Sequence, residues 1–235
     1  MSARENILTK LRAAPRSTPP APDVAAYYAG TPKLTGLAAL KHWAALMRAV
    51  RTEVLWVREA DWPRTLAGQV AARGIRTLLL SPTTGHGARA AAALAELAEP
   101  PLRLGFDQTI DGWKATLFNE VDAAFTRVRA GIALTGSLIA WPDEHEPRTM
   151  SLVPPIHFAL FDTRTLYPDF FSAMSAENWA AGMPTNALLI SGPSKTSDIQ
   201  QTVAYGAHGP RELVVLAVLP DEIDLADLAD LEADA

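Results

Sequence analysis

The sequence predicts an α/β fold, a mainly parallel sheet flanked by helices, with a helical arm at its N-terminus. Three observations carry that expectation. From Thr35 onward, short aliphatic and β-branched runs alternate with helical stretches of about 10–15 residues, the rhythm of βαβ units. The punctuation agrees, because Pro63 stands where a first-turn proline is tolerated and Gly74 where a left-handed residue closes a helix. The 235 residues are 49% hydrophobic and 20% charged, enough apolar material for one full-sized core or two small ones.

Taken in order, Ser2–Ala14 has Ile7, Leu8 and Leu11 at helical spacing, with Ser2 and Glu5 placed as a capping box. Pro15, Pro19, Pro20 and Pro22 then interrupt regular hydrogen bonding, so residues 1–23 read as a helical arm with an extended linker. That arm either packs back on its own domain or docks on a neighbour. The α/β domain is expected over residues 24–220, opening with helix Gly36–Val50, strand Glu53–Val57, helix Pro63–Arg73, strand Thr77–Ser81 and helix Ala88–Ala98. Short strands follow at Ala123–Thr126, Ile132–Ala133, Ser137–Trp141 and Ile156–Phe161, joined by Gly- and Pro-rich turns. A closing βαβ unit is expected from strand Ala187–Ser191, a helix near Asp198–Tyr205 and strand Leu213–Leu219.

Charge and composition exclude several function classes. Seven acids (Asp221, Glu222, Asp224, Asp227, Asp230, Glu232 and Asp234) make residues 221–235 an acidic tail, leaving 19 acids against 21 Lys and Arg in the body. A body so close to neutral gives no strong electrostatic case for nucleic acid, which needs a clustered basic surface to bind phosphates. The longest aliphatic run, Leu213–Leu219, is far too short to span a bilayer, and Met1–Leu11 is too charged for a secretory signal, so a cytoplasmic protein is expected. With no cysteine, this chain supplies no disulfide, thiol nucleophile, thiolate zinc site or iron–sulfur ligand. The five histidines show no metal spacing, no metal site is expected, and neither G-x-S-x-G nor G-x-G-x-x-G occurs.

Three segments carry polar chemistry in a setting suited to a ligand. In Ile190–Ile199 a buried strand runs into Gly192-Pro193 and then Ser194, Lys195, Thr196 and Ser197, with Ser197 and Gln200 placed to cap the expected helix. Hydroxyls, an ammonium group and helix amides beyond a strand end suit an anion, or else the hydroxyls only cap the helix. The P-loop pattern is not met, because Ser194 and Leu189 stand where its two glycines are needed. In Gly206–Leu213 the Gly209-Pro210 turn presents His208 and Arg211, either to an anion or to structural partners such as Asp198. In Ala130–Ile139 the Thr135-Gly136-Ser137 interruption marks either a close backbone approach to a ligand or a tight bend between core strands. His157, after Pro154-Pro155, reads as a core histidine or one facing a pocket. Glu120 and Asp122, just before a strand, are the carboxylates available to a stand-alone enzyme, or a solvated turn.

Four stretches together resemble the lactate utilization protein C family, the LUD domain: Gly131–Leu138, Ser151–His157, Ile190–Ile199 and Gly206–Leu213. Leu134 departs from the pattern, since many relatives carry an acidic residue between Ala133 and Thr135, so no carboxylate is expected to act at this turn. The resemblance implies a fold related to the sugar-phosphate isomerase and CoA-transferase-like superfamily. It also implies a role beside iron–sulfur subunits in oxidising L-lactate to pyruvate. The expectation is a non-cluster subunit that binds a small anion or anionic cofactor through Thr135, Gly136, Ser137, Gly192, Ser194, Lys195, Thr196, His208 and Arg211. The alternatives are a stand-alone enzyme handling acyl groups or phospho-sugars, and an assembly subunit without a ligand.

Overall fold

The computed structural model describes residues 2–14, 19–106, 109–197 and 203–231. Its contacts divide the chain into two units, residues 1–32 and 33–235. In the first unit, helix α1 (Ala3–Ala13) starts at Ser2, whose side chain accepts from the Glu5 amide while the Glu5 carboxylate accepts from the Ser2 amide, the expected capping box. A second helix, α2 (Val24–Ala29), is capped by Asp23.

The second unit is built on α3 (Gly36–Ala49), β1 (Glu53–Val57), α4 (Trp62–Ala72), β2 (Thr77–Leu79), α5 (Gly85–Ala95), β3 (Leu102–Leu104), α6 (Ile110–Asn119) and β4 (Ala123–Arg127). Then come β5 (Ala130–Ile132), β6 (Ser137–Ala140), α7 (Arg148–Leu152), β7 (Ile156–Asp162), β8 (Leu166–Tyr167) and α8 (Phe170–Ala176). The last strands are β9 (Leu188–Ile190), β10 (Lys195–Ser197), β11 (Val203–Tyr205) and β12 (Glu212–Val218). Six strands form one parallel sheet in the order β1-β12-β7-β4-β2-β3. Its central strands are covered on both faces, which explains why they read as unbroken apolar runs. Along β12, Val214, Leu216 and Val218 join Trp62, Leu66 and Val70 of α4 on one face. Leu213, Val215 and Ala217 join Trp43 and Met47 of α3 on the other. A four-stranded mixed sheet, β8-β5-β6-β9, packs Leu138 and Ala140 into that second layer and Ile132 and Ile139 against Trp179.

Two expectations fail in the last third. β9 pairs antiparallel with β6 in the small sheet, so it opens no βαβ unit with β12. The expected helix near Asp198–Tyr205 is replaced at its end by β11, which pairs antiparallel with β10, Lys195 opposite Tyr205 and Ser197 opposite Val203. Asp198 and Gln200 lie outside the described residues. Threonine, valine and tyrosine lose rotamer freedom in a helix and fit a pleated surface, so strand pairing overrides the capping-box signal. The acidic segment lies on the body over its described part: Leu228 is buried with Leu40 and Leu219, and the Arg58 guanidinium donates to the carbonyls of Pro220 and Ile223 at 2.7 and 2.8 Å.

Candidate functional site

β7 and β12 start side by side, and His157, the second residue of β7, is in register with Leu213 of β12 and Ala124 of β4. This places an imidazole inside the N-terminal edge of the parallel sheet. It is 1% exposed, and burial lowers its pKa to about 4, so the ring is neutral near pH 7. Nε2 lies 2.8 Å from the Thr126 hydroxyl, whereas Nδ1 has no partner among the described residues. His157 lines a cavity of ≈ 180 Å³ together with Ser151, Ser191, Gly192, Ser194 and His208.

Two glycine turns shape this region, one leaning on the C-terminal half of α3 and the other on Val50, the residue that caps that helix. Gly136 has φ +57°, and a Cβ there would meet Leu46 Cβ at 2.4 Å. Gly192 has φ +118°, and a Cβ there would sit 2.6 Å from Val50 Cγ2. Only glycine combines those dihedrals with that proximity. A run of hydroxyls joins the turns: Thr135 to Ser137 at 2.8 Å, then Ser137 to Ser191 at 2.6 Å. Trp43 fixes the first turn from behind by donating its indole N–H to the Ser137 carbonyl at 3.2 Å. Ser194 is clamped three ways by the following turn. Its N–H donates to the Pro210 carbonyl at 2.7 Å, its carbonyl accepts from Gly206 at 2.9 Å, and its hydroxyl oxygen accepts from the His208 amide at 3.3 Å.

Of the residues expected from sequence, Gly192, Ser194 and His208 line this cavity, and Ser137 joins it through Ser191. Thr135 lies one hydroxyl further out, and Gly136 holds the turn. Lys195 and Thr196 fall in β10, where the Thr196 hydroxyl donates to the Ala204 carbonyl at 3.5 Å. The Arg211 side chain is exposed, with Nε 3.6 Å from a Glu212 carboxylate oxygen. The expected helix N-terminus is not part of the site, since Ser197 belongs to a strand. The turn does follow a strand end, that of β9 in the small sheet, yet against the parallel sheet it stands where strands begin. Asp122, the alternative carboxylate, accepts from the amides of Arg76 and Thr77 at 2.8 and 3.0 Å and so ties β2 to its neighbour. Ser151 and Ser191 are cavity residues outside the set expected from sequence. Ser191 carried a usable signal, a hydroxyl directly before a Gly-Pro turn.

Residues 40–218 match the LUD domain. An uncharacterized protein of Neisseria meningitidis serogroup B is 48% identical over 233 residues, 98% of this chain and 99% of that one. Lactate utilization protein C of Macrococcus caseolyticus is 30% identical over 91 residues, 37% of this chain and 39% of that protein. Its namesake from an Exiguobacterium species is 28% identical over 152 residues, 57% and 63% of the two chains. The chain therefore aligns with less than two thirds of either lactate utilization protein. A DUF162 family protein from Deinococcus radiodurans has the same fold, with TM-score 0.56 at 19% identity over 79% of this chain and all of that one.

Proposed function

The chain belongs to the LUD domain family, and from that membership we propose that it acts in lactate utilization, binding a small anion in the serine-lined cavity. One observation carries the reading: the buried His157, a residue lining that cavity, has an Nδ1 without a hydrogen-bond partner among the described residues. A buried polar atom left unpaired costs about 1–3 kcal/mol, which a hydrogen-bonding ligand recovers. The four segments that carry the family resemblance supply the surroundings. Three line the cavity directly, and the fourth reaches it through the Ser137–Ser191 contact.

Because His157 is neutral, recognition there rests on hydrogen bonds from imidazole and hydroxyls. Lys195 and Arg211 adjoin lining residues Ser194 and Pro210 in sequence, and in this reading they add charge from outside the cavity. These 235 residues contain no thiolate ligand for an iron–sulfur centre, so in this reading the electrons of L-lactate oxidation pass through cluster-bearing partner proteins. Among the described residues no helix is long and apolar enough to cross a membrane.

Calorimetric titration with L-lactate, pyruvate, inorganic phosphate and a nucleotide tests the site. Saturable binding of at least one is expected, weakened about tenfold or more in Ser194→Ala and His157→Gln. Absence of binding to all four, together with normal growth on lactate of Ser194→Ala and Lys195→Ala strains, overturns it. Co-purification with iron-containing proteins tests the partnership separately.

A further inference from the structure

A second and larger cleft, ≈ 420 Å³, lies at the opposite end of the parallel sheet, where the strands finish. Arg127 ends β4, Asp162 ends β7 and Val218 ends β12, and the first turn of α5 closes one side. Carboxyl ends of strands in an open α/β sheet are where such folds hold ligands.

The charged groups of the cleft fall into two sets. Arg164 forks onto Asp162 through Nε–Oδ1 at 2.9 Å and Nη2–Oδ2 at 2.7 Å. Arg89 pairs with the Glu59 carboxylate, donates to the Glu59 carbonyl at 2.6 Å and lies over the Trp62 ring. Those two cations are neutralised within the protein. The Arg127 guanidinium has no hydrogen-bond or ion-pair partner among the described residues; its charge acts at longer range on Asp162, and its donors are open to a ligand.

Beside it stands an oriented imidazole. His86, in the first turn of α5, places Nε2 2.6 Å from Glu146 Oε1, with both side chains more than four-fifths buried. A carboxylate only accepts, so Nε2 carries a proton, and Nδ1, when unprotonated, is the nitrogen left to accept from a ligand. Glu146 is held in turn: its other oxygen accepts from the Arg127 amide at 3.1 Å, and its own amide donates to Asp143 Oδ1 at 2.8 Å. One carboxylate thus links the backbone of the unpaired arginine to the orienting bond of the histidine. An imidazole oriented by an acceptor on its Nε2, in one cleft of ligand size with an arginine whose guanidinium has no hydrogen-bond partner among the described residues, is a built arrangement.

We propose that this cleft binds a hydroxylated organic anion, Arg127 taking the carboxylate or phosphate group and His86, oriented by Glu146, accepting a hydrogen bond from a hydroxyl. Leu160 and Val218 in the wall offer contact to the carbon skeleton. The proposal is independent of the ligand in the serine-lined cavity.

Calorimetric titration of the full chain with gluconate and with glycerol 3-phosphate distinguishes the two anionic groups, and hexanoate serves as an anion without a hydroxyl. At least one hydroxylated anion is expected to bind saturably at millimolar concentration, and Arg127→Ala, an exposed position, weakens it about tenfold while its melting curve is unchanged. His86→Phe removes the advantage of the hydroxylated anion over hexanoate. Failure of both hydroxylated anions to bind overturns the proposal. So does equal affinity in Arg127→Ala. If Ser194→Ala abolishes the binding and Arg127→Ala does not, the ligand sits in the serine-lined cavity and the cleft assignment falls, with the proposed function left standing.

Discussion

The two ends of the parallel sheet are made from different kinds of sequence. The cavity at the N-terminal end is lined by three compact stretches, residues 151–157, 189–194 and 208–213, rich in Ser, Gly and Pro and without a Lys, Arg, Asp or Glu at its surface. The cleft at the C-terminal end gathers Glu59, Arg89, Arg127, Asp162 and Arg164 from four separate places in the chain. Turn chemistry shapes the first end and ion pairing the second. The difference predicts opposite responses to mutation: the serine end is sensitive in its backbone, whereas the charged end is sensitive in its ligand affinity.

The largest effect expected is at Gly192. A side chain there meets Val50 while the backbone holds a dihedral that L-residues rarely adopt, so Gly192→Val destabilises the fold by roughly 3 kcal/mol. Arg127→Ala, exposed and unpaired, stays within about 0.5 kcal/mol. Urea denaturation of the two variants measures both. Equal stabilities would remove the contrast between the ends.

That contrast also explains what could be read from sequence. The alternation of α3, β1, α4, β2 and α5 was legible because strands buried on both faces leave long apolar runs and their helices carry local stop signals such as Gly74. The β10–β11 hairpin was not. Its pairing joins Lys195 to Tyr205 across ten residues, and a Ser-x-x-Gln pattern within that span imitates a helix start. At the serine end, glycine and hydroxyl clusters marked the turns. The sequence did not show that Ser191 would connect them or that the His157 ring would keep one nitrogen unpaired. At the charged end nothing local pointed to a site, because His86 and Glu146 lie 60 positions apart and neither belongs to a motif.

Acidification is the next test in size. The folded pKa of His157, about 4, lies below the ordinary value of 6.5, so below pH 6.5 the unfolded chain binds a proton that the native ring refuses. The native state therefore loses stability as pH falls from about 6.5 toward 4, by about 2 kcal/mol at pH 5 from this group alone. Comparing the pH 7 and pH 5 stabilities of the wild type and His157→Gln isolates it, since the variant lacks this increment. An anion bound next to Nδ1 favours the charged ring, so occupancy of the cavity raises the His157 pKa and can be followed by NMR titration of the imidazole. An unchanged titration with saturating ligand would separate His157 from the ligand.

The smallest effect belongs to the charged end and tests whether its ion pairs are as local as they look. Burial alone would raise the Asp162 pKa, yet hydrogen bonds and charge from Arg164, with a further contribution from Arg127, leave it below the ordinary carboxylate value. A depressed carboxylate adds stability that is present above its unfolded pKa and lost as pH falls through the folded one. Arg164 is mostly exposed, so solvent screening limits the pair to about 0–1 kcal/mol. Arg164→Ala should raise the Asp162 pKa by removing its main partner, read from the carboxyl carbon shift, while His157 titrates as before at the other end of the sheet. Movement of both together would mean that the two ends are coupled through β7, which carries His157 at its start and Asp162 at its finish.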